Sequence, residues 1–254
     1  MVDSTRGGTR RIEYPEQTMK KIAAAVAIAG IMTATLTACA AGVDQGASAS
    51  HAGIPQAAPG AFAVSSVRLQ GPNYTVDVPQ VTGGSDAART EFNDAMRALA
   101  QTWIDRADAT TTLQPGYGQV TYTGTRVVSG LLVVSVYSEG AAHPNNSMES
   151  HVTNGDTGRA ITLADLFTDV QAGLNLLAEQ AAIEVPKTRA GDTYFKSGIE
   201  ATEFNYRLWL ATPGGMEIHF GEIASHAAGD IVITVPWSKL DSALKPGIRD
   251  IVAG

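Results

Sequence analysis

Thiol chemistry is almost missing from this chain: Cys39 is the only cysteine. An internal disulfide framework and a cysteine-ligated zinc site are therefore excluded, and the fold must be held by its apolar core. Basic runs are missing too. Lys and Arg total 18 against 25 Asp and Glu, a formal net charge of −7. Nucleic acid and anionic headgroups both need positive charge on their partner, so neither is expected as a ligand. A cationic partner is favoured instead.

The familiar signatures of catalysis are also lacking. There is no Gly-x-Ser-x-Gly elbow for a serine nucleophile and no Gly-x-x-x-x-Gly-Lys-Ser/Thr phosphate loop. His143, His151, His219 and His226, with Glu139 and Glu222, are the groups a metal would use. No two histidines have the helical His-x-x-x-His spacing, so neither a metal nor a cofactor is expected.

The chain does carry an export signal. Lys20-Lys21 precede an uncharged run from Ile22 to Leu36, and Leu36-Thr37-Ala38-Cys39 follows. A positive patch, an apolar stretch of about 7–15 residues and a small-residue cleavage site make a signal peptide. The run is shorter than the roughly 20 residues that span a bilayer. Its last four residues fit the bacterial lipobox, in which the cysteine receives diacylglycerol. Residues 1–38 are thus expected to be the signal, with 1–18 an over-long start or a short extension. Cys39 is the expected lipidation site, which places the protein on the extracytoplasmic face of the cell membrane. Residues 39–61 are rich in Ala, Gly, Ser, Gln and Pro and read as a tether.

The folded part is expected from Phe62 to Gly254. Ala63–Leu69 and Tyr74–Val78 read as strands split by Gly71-Pro72-Asn73, with Pro79 and Gly83-Gly84 closing them. Ser85 should cap a helix to about Arg106, whose apolar residues Phe92, Met96, Leu99 and Trp103 share one face. Trp103 is assigned to the core. Gln119–Val128 and Leu131–Ser138 are expected to pair through a Ser129-Gly130 hairpin turn. Met148–Asn154 is a further strand, Thr162 to Asp165 a capping box, and 169–185 a helix stopped by Pro186. Phe204–Ala211, Gly215–Phe220 and Asp230–Val235 are strands, and Ser238–Leu244 is a closing helix. Elements come in blocks, so the expected class is α+β: a mixed or antiparallel sheet packed by a few helices.

Four segments in order carry a family resemblance. They are Glu139-Gly-Ala-Ala-His143-Pro144-Asn145, then Asn154-Gly-Asp156-Thr-Gly158, then Ile161-Thr-Leu-Ala-Asp165-Leu166-Phe167. The fourth is the closing stretch from Met216 to Leu240, with Val235-Pro236-Trp237 in it. Over about Tyr117–Leu240 the chain resembles the C-terminal extracellular domain of the RsiV anti-sigma factors, a widespread domain of unknown function. It is also similar to the mycobacterial secreted antigens of the MPT/MPB type. The resemblance implies an extracellular binding domain. The family's Pro-Tyr-Glu-x-Ala-Pro-Tyr segment reads Gly221-Glu222-Ile223-Ala224-Ser225-His226 here, without either tyrosine. Residues 1–18 are too short for a sigma-binding segment, so sigma-factor inhibition does not carry over.

Candidate ligand-binding residues are Glu139, His143, Asn145, Glu222 and His226, on two loops that mix small residues with a carboxylate and a histidine. The expected role is non-catalytic binding of a protein or a wall component by a lipid-anchored envelope domain. The alternative is a serine carboxylester hydrolase in which His143 is the base. It requires a Ser Oγ within about 3.2 Å of a histidine nitrogen. Oligomeric state is left open.

Overall fold

The computed structural model describes residues 60–254. The expected signal peptide, Cys39 and nearly all of the expected tether lie outside them.

One strand organises the fold. β5 (Val127–Ser138) is buried on both faces over its first eight residues. Its even positions Val128, Leu132 and Val134 meet Phe92 and Met96 of helix α1 (Asp86–Ile104). Its odd positions Leu131 and Val133 meet Leu210 on the other side. This continuous apolar run is what a central strand covered on both sides requires.

Around β5 lies a seven-stranded sheet. Its other members are β1 (Phe62–Gly71), β2 (Tyr74–Gly83), β3 (Thr111–Pro115), β4 (Gln119–Thr123), β6 (Asn145–Asn154) and β7 (Arg159–Ala160). The order is β1-β2-β3-β5-β6-β7, with β4 also on β5. All pairs are antiparallel except β2 with β3, which is parallel. A second sheet of three antiparallel strands has the order β10-β9-β8, from β8 (Trp209–Ala211), β9 (Gly215–His219) and β10 (Val232–Pro236). Ile218, Ile233 and Val235 of this sheet share a core with Leu174, Leu177 and Ala181 of helix α3 (Val170–Glu184). Short helices α2 (Leu163–Leu166), α4 (Trp237–Leu240) and α5 (Ile248–Val252) complete the α+β fold. No helix among the described residues is long and apolar enough to cross a membrane.

The expected caps form. The Ser85 hydroxyl accepts from the Ala88 amide at 3.3 Å; Asp169, not expected as a cap, also caps α3 by accepting from Ala172 at 2.8 Å. Thr162 and Asp165 make a reciprocal capping box. The Asp165 carboxylate accepts from the Thr162 hydroxyl at 2.7 Å and its amide at 2.9 Å, and these bonds hold its pKa below the ordinary value. A depressed carboxylate stabilises the fold above its unfolded-state pKa and loses that contribution as pH falls through the folded value. Asp165→Ala is expected to cost at most about 1 kcal/mol at neutral pH, because the site is exposed. The gap from wild type should close as an acid titration, followed by thermal melts, reaches the lowest pH values.

Several expected elements are corrected. Ser129-Gly130 is not a hairpin turn; β5 runs straight through it, and the chain reverses at Gly124-Thr125-Arg126. Gly130 is small because a Cβ there would lie 2.5 Å from Phe92 Cζ. The Ser129 hydroxyl accepts from the Ala211 amide at 3.0 Å and ties the two sheets. Pro79 does not end β2; it pairs with Ser66 inside it. β2 meets β3 only at Tyr74 and Leu113, so the missing Pro79 amide leaves no second ladder broken. Residues 204–208 are a loop. Asn205 Nδ2 donates to the carbonyls of Ser197 and Glu200, and the buried Tyr206 hydroxyl donates to Ile199 at 2.8 Å. These bonds hold the segment in a turn rather than a ladder. The expected helix Ser238–Leu244 is only the turn α4, and strand β3 and helix α5 were not expected.

Candidate functional site

The loop between β5 and β6 carries His143, and a turn between β9 and β10 carries Glu222 and His226. Residues of that turn are fixed from below: Ile223 and Ala224 are buried, which leaves Glu222, Ser225 and His226 outward. Gly221 and Gly229 bracket it at φ of 63° and 65°, a backbone region that glycine enters without strain.

The two loops meet. The rings of His143 and His226 stack with centroids 5.1 Å apart and planes 24° from parallel. Glu222 Oε1 lies 2.7 Å from His226 Nδ1, and the Pro144 carbonyl lies 2.9 Å from His143 Nδ1. A carbonyl and an ionised carboxylate only accept, so each Nδ1 carries a proton and donates it. Among the described residues neither Nε2 atom has a protein partner.

Behind this pair opens a groove of about 670 Å³. One wall is His143–Glu149, the start of β6, with Trp103 from the last turn of α1. The other wall holds Arg207, Phe220, Glu222 and Asp230. Three carboxylates line the groove against one guanidinium. Arg207 is drawn off along its own loop, donating to the Phe204 carbonyl at 2.8 Å with its guanidinium 4.1 Å over the Phe204 ring. The acidic sign therefore prevails.

Four of the five candidate residues, His143, Asn145, Glu222 and His226, lie together here. Glu139 does not. It sits exposed at the turn after β5, where its amide donates to the Thr110 carbonyl at 2.7 Å. Trp103 packs against the core beneath α1, as expected, and is half-buried because it also lines the groove, where its Nε1 donates to Glu149 Oε1 at 3.3 Å. The Arg106 guanidinium stands 4.8 Å over its ring. Glu149, Arg207 and Asp230 were missed. The one hint was Arg106 three residues after Trp103, a spacing that places a cation beside an indole on a helix surface.

The other two histidines among the described residues, His151 and His219, serve elsewhere. Glu91 of α1 accepts from the Thr153 hydroxyl at 2.5 Å and faces His151 Nε2 at 2.9 Å, which ties the helix to β6. His219 Nε2 faces Glu217 at 2.9 Å on β9. Among the described residues no serine hydroxyl is bonded to a histidine ring, so the geometry required by a Ser–His hydrolase is not met. No cluster of three metal-ligating groups occurs among them either.

Fold and groove define an α+β domain with a polar recess at the edge of its large sheet. Residues 164–238 match the model of DUF3298, a protein family of unknown function. A DUF3298 family member from Bacteroides fragilis is similar in structure, with a TM-score of 0.54 at 14% identity. The alignment covers 76% of this chain and 98% of that one, and the likeness is one of fold. A DUF3298 protein from Pseudomonas aeruginosa aligns with a TM-score of 0.46, also at 14% identity, over 74% and 96% of the two chains. No curated protein matches the sequence. The matched segment supplies the wall with Arg207, Glu222, His226 and Asp230. The wall with Trp103 and His143–Glu149 lies outside it.

Proposed function

We propose that this protein is a lipid-anchored envelope domain that binds a cationic partner without catalysis. The observation that carries the reading is the groove, where Glu149, Glu222 and Asp230 face a recess held on rigid strands. Loops that present polar groups from a fixed sheet are where binding function concentrates. The lipobox at Leu36–Cys39 and the RsiV-like segments support an extracytoplasmic place for it. The hydrolase alternative has no geometric support.

Glu139 makes the test internal. It bears the same charge as Glu222 on the same molecule but stands outside the groove. With tetralysine as probe, Glu222→Gln is expected to weaken binding about two- to five-fold and to flatten its salt dependence. Glu139→Gln is expected to leave it unchanged. Fluorescence anisotropy across a salt series checks both. Equal weakening by the two variants would reduce the effect to net charge and overturn the assignment to the groove.

A further inference from the structure

The groove runs along an unpaired sheet edge. β6 pairs with β5 over ten consecutive residues without a register shift, yet on its far side β7 reaches only Thr153 and Asn154. The Val152 carbonyl accepts from the Ile161 amide at 2.8 Å, so Val152 directs its backbone away from β5. The two-residue period of a strand sends the N–H and C=O of Ser150, Met148 and Asn146 the same way. None of these groups has a backbone partner among the described residues. The Ser150 hydroxyl donates to the Arg207 carbonyl at 3.4 Å and marks where the loop closes on the edge. Asn145–Glu149 remains open to the groove.

Edge strands in soluble proteins are commonly blunted by lysine, proline or a bulge, because a free ladder invites another chain. Asn145–Val152 has none of these. The edge also borders the groove: Asn145 to Glu149 line it, with Asn145 and Asn146 exposed.

We infer that the groove takes an extended peptide segment of a basic partner, added as a strand beside β6. The inference rests on the acidic-groove reading above. Asn146 and Met148 offer two N–H and two C=O groups, which give main-chain affinity of the kind used in strand addition. Glu149 on one wall and Glu222 with Asp230 on the other select lysine or arginine at neighbouring positions of the incoming strand, because successive side chains face opposite walls. A second copy of this chain is a poor occupant, because it would bring Glu149 and Glu222 against an equally acidic wall.

The experiment uses two peptides of equal charge: acetyl-Lys-Lys-Val-Lys-Lys-amide and the same peptide N-methylated at all five residues. N-methylation removes main-chain donors and leaves the charges. The N-methylated peptide is expected to bind about tenfold more weakly. Hydrogen exchange at the Asn146 and Met148 amides should slow about tenfold with the first peptide and not with the second. Asn146→Pro removes an outward donor while sparing the β5 ladder, and it should weaken only the unmethylated peptide. Equal binding of both peptides, still reduced by Glu222→Gln, overturns strand addition and leaves the acidic groove standing. No binding of either at millimolar concentration overturns both. A dimer in sedimentation that Asn146→Pro dissolves would make a second copy the occupant and overturn the peptide assignment.

Discussion

Phe92→Ala is expected to lose about 3–5 kcal/mol of stability, the range for emptying a buried aromatic site. Phe92 is fully buried under α1 and rests on the bare backbone of Gly130, where a Cβ would come within 2.5 Å of its ring. Its ring also meets His151 at 6.2 Å between centroids. β5 is clamped between α1 and the second sheet, so its backbone cannot drop into the void, and the cavity term persists. For a domain of this size such a loss lowers Tm by about 8–15 °C, which calorimetry resolves readily. A companion substitution reads the same contact from below. Gly130→Ala should destabilise in the wild type by driving a methyl into Phe92, and it should cost less in a Phe92→Leu background. Coupling above about 0.5 kcal/mol would follow from that shared volume. A Phe92→Ala loss below about 1 kcal/mol would mean that the α1–β5 packing is not the structural centre described here.

That contact also explains where the sequence could and could not be read. The α1 stripe was legible because Phe92 and Met96 obey helical spacing, and its start was legible because Ser85-Asp86 is a capping pair. The Thr162–Asp165 box was legible for the same local reason. Ser129-Gly130 misled because a turn dipeptide and a packing dipeptide look alike. The glycine answers to Phe92, which lies 38 positions away in the chain. Phe204–Leu208 misled in the opposite sense: its β-type residues are held in a loop by Asn205 and Tyr206 side chains bonded to carbonyls five to eight residues upstream. Of the site, the two loops were legible from their small residues, carboxylates and histidines, and the stacking of His143 on His226 brings them together. Glu149, Arg207 and Asp230 were not, since a groove wall built from a sheet edge has no local pattern. Glu139 failed because the chain turns at Gly140, with φ of 83°, before it reaches the groove.

Cys39→Ala is expected to remove membrane attachment altogether. Only the thiol of a lipobox cysteine accepts the diacylglycerol, and cleavage then frees its amine as the new N-terminus. The chain has no second cysteine to receive stray label. Palmitate incorporation should therefore fall to background in the variant rather than decline in part. Each buried methylene contributes about 0.8 kcal/mol, and two acyl chains hold a protein where a single one binds reversibly. The wild type should thus remain with membranes through a salt wash, while the alanine variant appears in the soluble fraction or as the unprocessed precursor. Salt resistance separates this attachment from charge-driven adsorption, which an acidic protein would not show on an anionic surface in any case. Mass spectrometry of the mature N-terminus gives the direct reading: a lipid-modified Cys39 as the first residue. An unmodified N-terminus at any other position, or palmitate labelling that survives Cys39→Ala, would overturn the anchor.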